Sequence, residues 1–95
     1  MGKIKKGMVI WIPCEVKNGP FPNERRVYVQ LGQSEWFGFV DLSHLKEEHG
    51  QQFVRTIVLA VRPSEVVLGI RGQSPASGPI QASPSLIAQY GTVTA

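Results

Sequence analysis

Residues 25–31 alternate without a break: Val27, Val29 and Leu31 fall on one side, and Arg26, Tyr28 and Gln30 on the other. Successive side chains of an extended chain point to opposite faces, so a period of two marks a half-buried strand. Four more short apolar segments surround it. Met8-Val9-Ile10-Trp11-Ile12 is β-branched and aromatic and is stopped by Pro13; residues 36–42 carry Gly38 where a bulge or bend is expected. Residues 53–61 are rich in Val and Ile, and residues 66–71 follow after the turn Arg62-Pro63-Ser64-Glu65. Residues 17–23, with Asn18-Gly19, Pro20 and Pro22, read as a hairpin loop longer than a tight turn. Ser43 is placed to cap a short helix through Leu45, Lys46, Glu47 and Glu48, with Gly50 to end it. Five short strands with one helical turn between the third and fourth give the element order of a small Greek-key barrel. The expected fold class is therefore all-β, a five-stranded small barrel over residues 1–72.

Residues 73–95 differ in kind, since they contain no Asp, Glu, Lys or Arg and are rich in Ser and Pro. Ile80, Leu86, Ile87, Tyr90 and Val93 are nevertheless too apolar for a plain linker. Ser83 followed by Pro84 and closed by Gly91 has the cap-and-stop form of a two-turn helix. This extension is expected to pack on the barrel or on a partner, burying Ile80, Leu86 or Ile87.

The 95 residues are the size of one domain, and 42% apolar with 18% charged residues suits a packed globule rather than a disordered chain. One Cys excludes a disulfide framework and a multi-Cys zinc site. No apolar run reaches the roughly 20 residues needed to span a bilayer, and the basic start lacks the apolar stretch of a signal peptide. The cytoplasm is the expected location, with no membrane partner. The formal net charge of +3 is uneven. Lys3, Lys5, Lys6, Lys17, Arg25 and Arg26 outnumber Glu15 and Glu24 in the first third, whereas residues 34–50 are acidic. A basic first third is compatible with a polyanionic partner.

Few residues offer chemistry. Cys14 with His44 or His49 lacks an orienting third group, and a Cys beside a strand behaves as a small hydrophobe. His44 and His49 stand five apart with no third ligand, and Glu47-Glu48 reads as a solvated helix face. No cofactor or metal is expected. The aromatic residues say more. With Val27, Val29 and Val40 turned inward, Arg26, Tyr28, Phe37 and Phe39 face outward together. Cations beside rings on a sheet face form the surface on which single-stranded bases stack. Lys17 and Arg71 complete the candidate binding residues. The same patch has the character of a protein interface. Trp11 and Trp36 are assigned to the core, with Val9 or its neighbours Met8 and Ile10, and with Val27, Val29, Val40, Val58 and Leu68.

Gly38-Phe39-Val40-Asp41-Leu42-Ser43-His44-Leu45, the Gly-led entry into residues 50–61, and Gly7-Met8-Val9 together resemble the S-one-type RNA-binding domain. That resemblance covers residues 7–72 and implies an oligonucleotide-binding-fold barrel with RNA as ligand. Asp41 stands where the family carries a His that contacts nucleic acid, and a carboxylate there repels phosphate. A second set, residues 7–12 followed by Glu24-Arg25-Arg26-Val27-Tyr28-Val29, is similar to the opening of PemK-type toxin endoribonucleases, which are SH3-like barrels. It implies an RNA-cleaving role for Arg25 or Arg26, although Val27 replaces the family's Pro. The leading expectation is a non-catalytic module that binds single-stranded RNA. The alternative is an adaptor or subunit, bound to a protein partner or a second copy through the same face. A toxin-like endoribonuclease stands third.

Overall fold

The computed structural model describes residues 4–19, 21–72, 78–90 and 92–94. The strands are β1 (Val9–Asn18), β2 (Glu24–Leu31), β3 (Ser34–Asp41), β4 (Leu45–Glu48), β5 (Gln51–Val61), β6 (Val66–Ile70), β7 (Ile80–Ala82) and β8 (Thr92–Thr94). A 3₁₀ turn at Leu42–His44 precedes β4, and helix α1 (Pro84–Tyr90) precedes β8. The hydrogen-bonded order is β3-β2-β1-β5-β6-β7, with β4 on β5 and β8 on β1. Strands β1, β2 and β3 form a meander, and β5 returns to lie beside β1, which is the Greek-key arrangement. The two ends of the sheet meet at β3 and β7. There the Ser34 hydroxyl donates to the Gln81 carbonyl at 2.8 Å and accepts the Gln81 N–H at 3.1 Å. The result is a small, nearly closed barrel.

Strict alternation places the core as expected. Val27, Val29, Val40, Val58 and Leu68 are buried, as are Ile10, Ile12 and Trp36. A buried side chain of this size stabilises by roughly 1.5–3 kcal/mol, so these inward rows hold the sheet. Thr56, the one polar residue buried with them among those described, donates its hydroxyl to the Ile10 carbonyl at 2.6 Å and so keeps its polarity satisfied.

Three expectations are corrected. The first strand does not stop at Pro13. One edge of β1 pairs with β5 from Val9 to Cys14, and its other edge pairs with β8 at residues 9–11 and with β2 at residues 15–18. Pro13, which has no N–H to give, sits in the gap between those two ladders, where the sequence can carry it without losing a bond. Lys17 and Asn18 therefore belong to β1, opposite Arg26 and Arg25, and β2 begins at Glu24.

The second correction concerns residues 45–48. They form a strand, and the helical turn is limited to Leu42–His44. Its cap is Asp41, whose carboxylate accepts the Ser43 N–H at 2.9 Å. β4 and β5 are joined by the two residues His49 (φ 53) and Gly50 (φ 80), opposite Glu48↔Gln51. Two consecutive positive φ values make the mirror-image turn that suits strand twist. That long-range pairing outweighs the helix propensity of Lys46-Glu47-Glu48.

The third is Trp11. It lies on the outward side of β1 and is only half-buried, while Ile10, Ile12 and Cys14 point in. The extension joins the barrel sheet. β7 pairs with β6, Ile80 and Ile87 are fully buried, and Leu86 is partly buried against the core. Ser83 caps α1 by accepting the Leu86 N–H on its hydroxyl at 3.2 Å. Among the described residues no helix is long and apolar enough to cross a membrane.

Candidate functional site: the outward face of β1, β2 and β3

Register converts the alternation into a surface. Lys17 pairs with Arg26, and Arg26 with Phe39, making one outward row across three strands. The next outward row is Glu15, Tyr28 and Phe37. Residues two apart on a strand lie roughly 7 Å apart on the same face, and neighbouring strands about 5 Å apart, so the rows are adjacent. Between them runs an open groove of about 210 Å³, lined by Glu15, Lys17, Arg26, Tyr28 and Phe37. Two roomier clefts flank Leu86 and Tyr90 (about 330 Å³) and Leu45 and Glu47 (about 300 Å³). The first has no charged side chain in its lining, and the second no aromatic ring, so neither matches the groove's chemistry.

Five of the six predicted binding residues come together here: Lys17, Arg26, Tyr28 and Phe37 line the groove, and Phe39 stands beside Arg26. Arg71 does not line it. Arg71 is exposed just after β6. The next residue, Gly72, runs so close along β3 that a Cβ on it would lie 2.5 Å from the Phe39 carbonyl oxygen. Lys17 and Arg26 are exposed, and neither makes a hydrogen bond or ion pair to another described residue. Phe37 is 51% exposed.

The neighbouring arginine behaves differently. Arg25 shares the inward parity of Val40, and its guanidinium donates to the Pro22 and Glu24 carbonyls, both at 2.9 Å. It ties the hairpin loop to its own strand.

The acids bound this surface. The Tyr28 hydroxyl donates to Glu35 at 3.0 Å, and that bond, with some loss of solvent and the nearby Glu35 and Glu15 charges, holds the phenol above its ordinary pKa. Tyr28 is thus a neutral ring with a fixed hydroxyl. Beyond Phe39, Glu24 pairs with Asp41. The Ser43 N–H and hydroxyl, with a smaller effect of His44, keep the Asp41 carboxyl below its usual range, so it is charged at neutral pH. Acidic residues therefore close the face at both ends, and the middle two rows carry the cations and rings together with Glu15.

Glu15 is the groove residue that the sequence reading missed. The signal was present: Ile12, Cys14 and Val16 alternate with Pro13, Glu15 and Lys17. Ending the strand at Pro13 hid it.

The remaining reactive groups are accounted for. Cys14 is buried, and burial pushes its thiol up to about 12, so no thiolate nucleophile exists at neutral pH. No three His, Cys, Asp or Glu side chains among the described residues gather closely enough to hold a metal. Comparison with family models, with curated proteins and with solved structures finds no match.

Proposed function

We propose that this protein is a non-catalytic module that binds single-stranded RNA on the outward face of β1, β2 and β3. The observation that carries the reading is the pair of adjacent rows, Lys17–Arg26–Phe39 and Glu15–Tyr28–Phe37, with neither cation hydrogen-bonded or ion-paired to another described residue. Bases stack on the rings, and the cations neutralise the intervening phosphates. The acidic borders at Glu24, Asp41 and Glu35 limit the site to about two nucleotides, given row spacings of roughly 7 Å. The Greek-key order supports the oligonucleotide-binding type of barrel, in which the face of the second and third strands carries the ligand. The cytoplasm is the proposed setting, where a lone reduced cysteine is ordinary.

A protein partner on the same face is the second reading, and the exposed ring of Phe37 favours it. The endoribonuclease reading has less support, because Arg25 is engaged with two backbone carbonyls, which leaves Arg26 as the one of the pair without a hydrogen bond or ion pair to another described residue.

Fluorescence anisotropy with labelled single-stranded RNA at two salt concentrations separates the readings. Two phosphate contacts give a salt slope of about −1.4, so binding should weaken about sevenfold between about 50 and 200 mM salt. Absence of saturable binding at low salt would remove the RNA reading, and cleavage of the RNA would favour the nuclease.

A further inference from the structure

We infer that this groove selects guanine among the bases it stacks, with Glu15 as the discriminating residue. The inference rests on the RNA-binding reading and names the ligand of that same site. Glu15 lies directly across the β1–β2 ladder from Tyr28, which lies across from Phe37. A carboxylate therefore ends a row of two rings and lines the groove with them. Strands are about 5 Å apart, so a base seated over Tyr28 and Phe37 has one edge beside Glu15.

The state of that carboxylate decides what the edge must offer. Glu15 is exposed and makes no hydrogen bond or ion pair to another described residue. Glu35, the acid one row along β3 from Phe37, already accepts the Tyr28 hydroxyl. An ionised carboxylate has two acceptor oxygens and no donor. Guanine alone among the four bases presents two adjacent donors, N1–H and the N2 amine, on its pairing edge. Adenine and cytosine place an amine beside an acceptor nitrogen, and uracil sets one N–H between two carbonyls. Only guanine satisfies both oxygens without facing them with a lone pair. Lys17 and Arg26, one row along, remain for the adjoining phosphate.

The test uses a labelled uridine tract with a single central guanine, adenine or inosine, read by anisotropy at low salt. The guanine strand should bind about tenfold tighter than the adenine strand, as for other bidentate contacts to a base edge. Inosine, which lacks the N2 amine, should fall between them. Glu15→Ala should bring the guanine strand down to the adenine strand's affinity, whereas Glu65→Ala, in the turn between β5 and β6, should keep the preference. Equal binding of guanine and adenine strands, or a preference that survives Glu15→Ala, would overturn the inference and leave RNA binding standing. Failure of all three strands to bind would overturn both.

Discussion

The barrel has two outward faces with nearly the same residue types, and they are in opposite states. On the face of β1, β2 and β3, Lys17 and Arg26 stand beside Tyr28, Phe37 and Phe39, and neither cation makes a hydrogen bond or ion pair to another described residue. On the face of β1, β4 and β5, Lys46 holds its ammonium 4.8 Å from the Trp11 ring centre and 6.0 Å from that of Phe53. The same ammonium pairs with Glu48 at 2.9 Å. Lys46 is already engaged by its own rings and its own carboxylate, so it is less available to a phosphate than Lys17 or Arg26. An aromatic and cationic composition is therefore not by itself a binding surface. What matters is whether register leaves the charges unpaired, and the offset of Lys17 and Arg26 from the acids of their face does so.

The largest expected effect separates the two faces by function. Phe37→Ala should weaken single-stranded RNA binding by tenfold or so, in line with roughly 1–3 kcal/mol per stacked base. Lys46→Ala should leave it within about twofold of the parent, because that ammonium's partners are internal. Equal losses would erase the distinction.

A structural substitution comes next. Gly72→Ala places a Cβ against the Phe39 carbonyl, which is backbone and cannot swing away. It should lower stability in chemical denaturation by about 1–3 kcal/mol, as overpacking does. If RNA affinity falls with it, the approach of residues 71–72 to β3 is part of what fixes the groove's shape.

The third effect appears only at high pH. The Cys14 thiol ionises near 9.0 when solvated and at about 12 in the folded protein, because burial disfavours the thiolate. The folded state thus binds the proton more tightly. Its contribution is complete below pH 9 and is lost as pH rises toward 12. Cys14→Ala should flatten that part of the stability curve measured by denaturant titration, and an unchanged slope would place the thiol in contact with water.

The smallest effect is the stability cost of Lys46→Ala. A partly exposed cation–π contact is worth about 0.5–1 kcal/mol, so the melting temperature should drop by only a few degrees.

What could be read in advance follows from where local pattern and long-range pairing agree. β2 and β3 alternate strictly, so their parity, the burial of Val27, Val29 and Val40, and the outward set of Arg26, Tyr28, Phe37 and Phe39 were legible before any coordinates. Pro13 was misleading because its meaning depends on whether a neighbour needs its N–H, and that neighbour is contributed by β2 and β8 from elsewhere in the chain. The same dependence hid Glu15 from the site. Lys46-Glu47-Glu48 favour a helix locally, and only pairing with residues 51–54 makes them a strand. Trp11 has the size of a core residue, but the inward positions of β1 were already taken by Ile10 and Ile12. Short strands fix their own faces, and their partners decide which face is left free.

The most direct test of the unpaired-face account is an amide and side-chain NMR titration of the ¹⁵N-labelled protein with a short single-stranded RNA. The account predicts that shift changes concentrate at Glu15, Lys17, Arg26, Tyr28, Phe37 and Phe39, while the Trp11 indole and the amides of Lys46 and Phe53 stay in place. Changes centred on Trp11, Lys46 and Phe53 instead, or spread evenly over both faces, would contradict it.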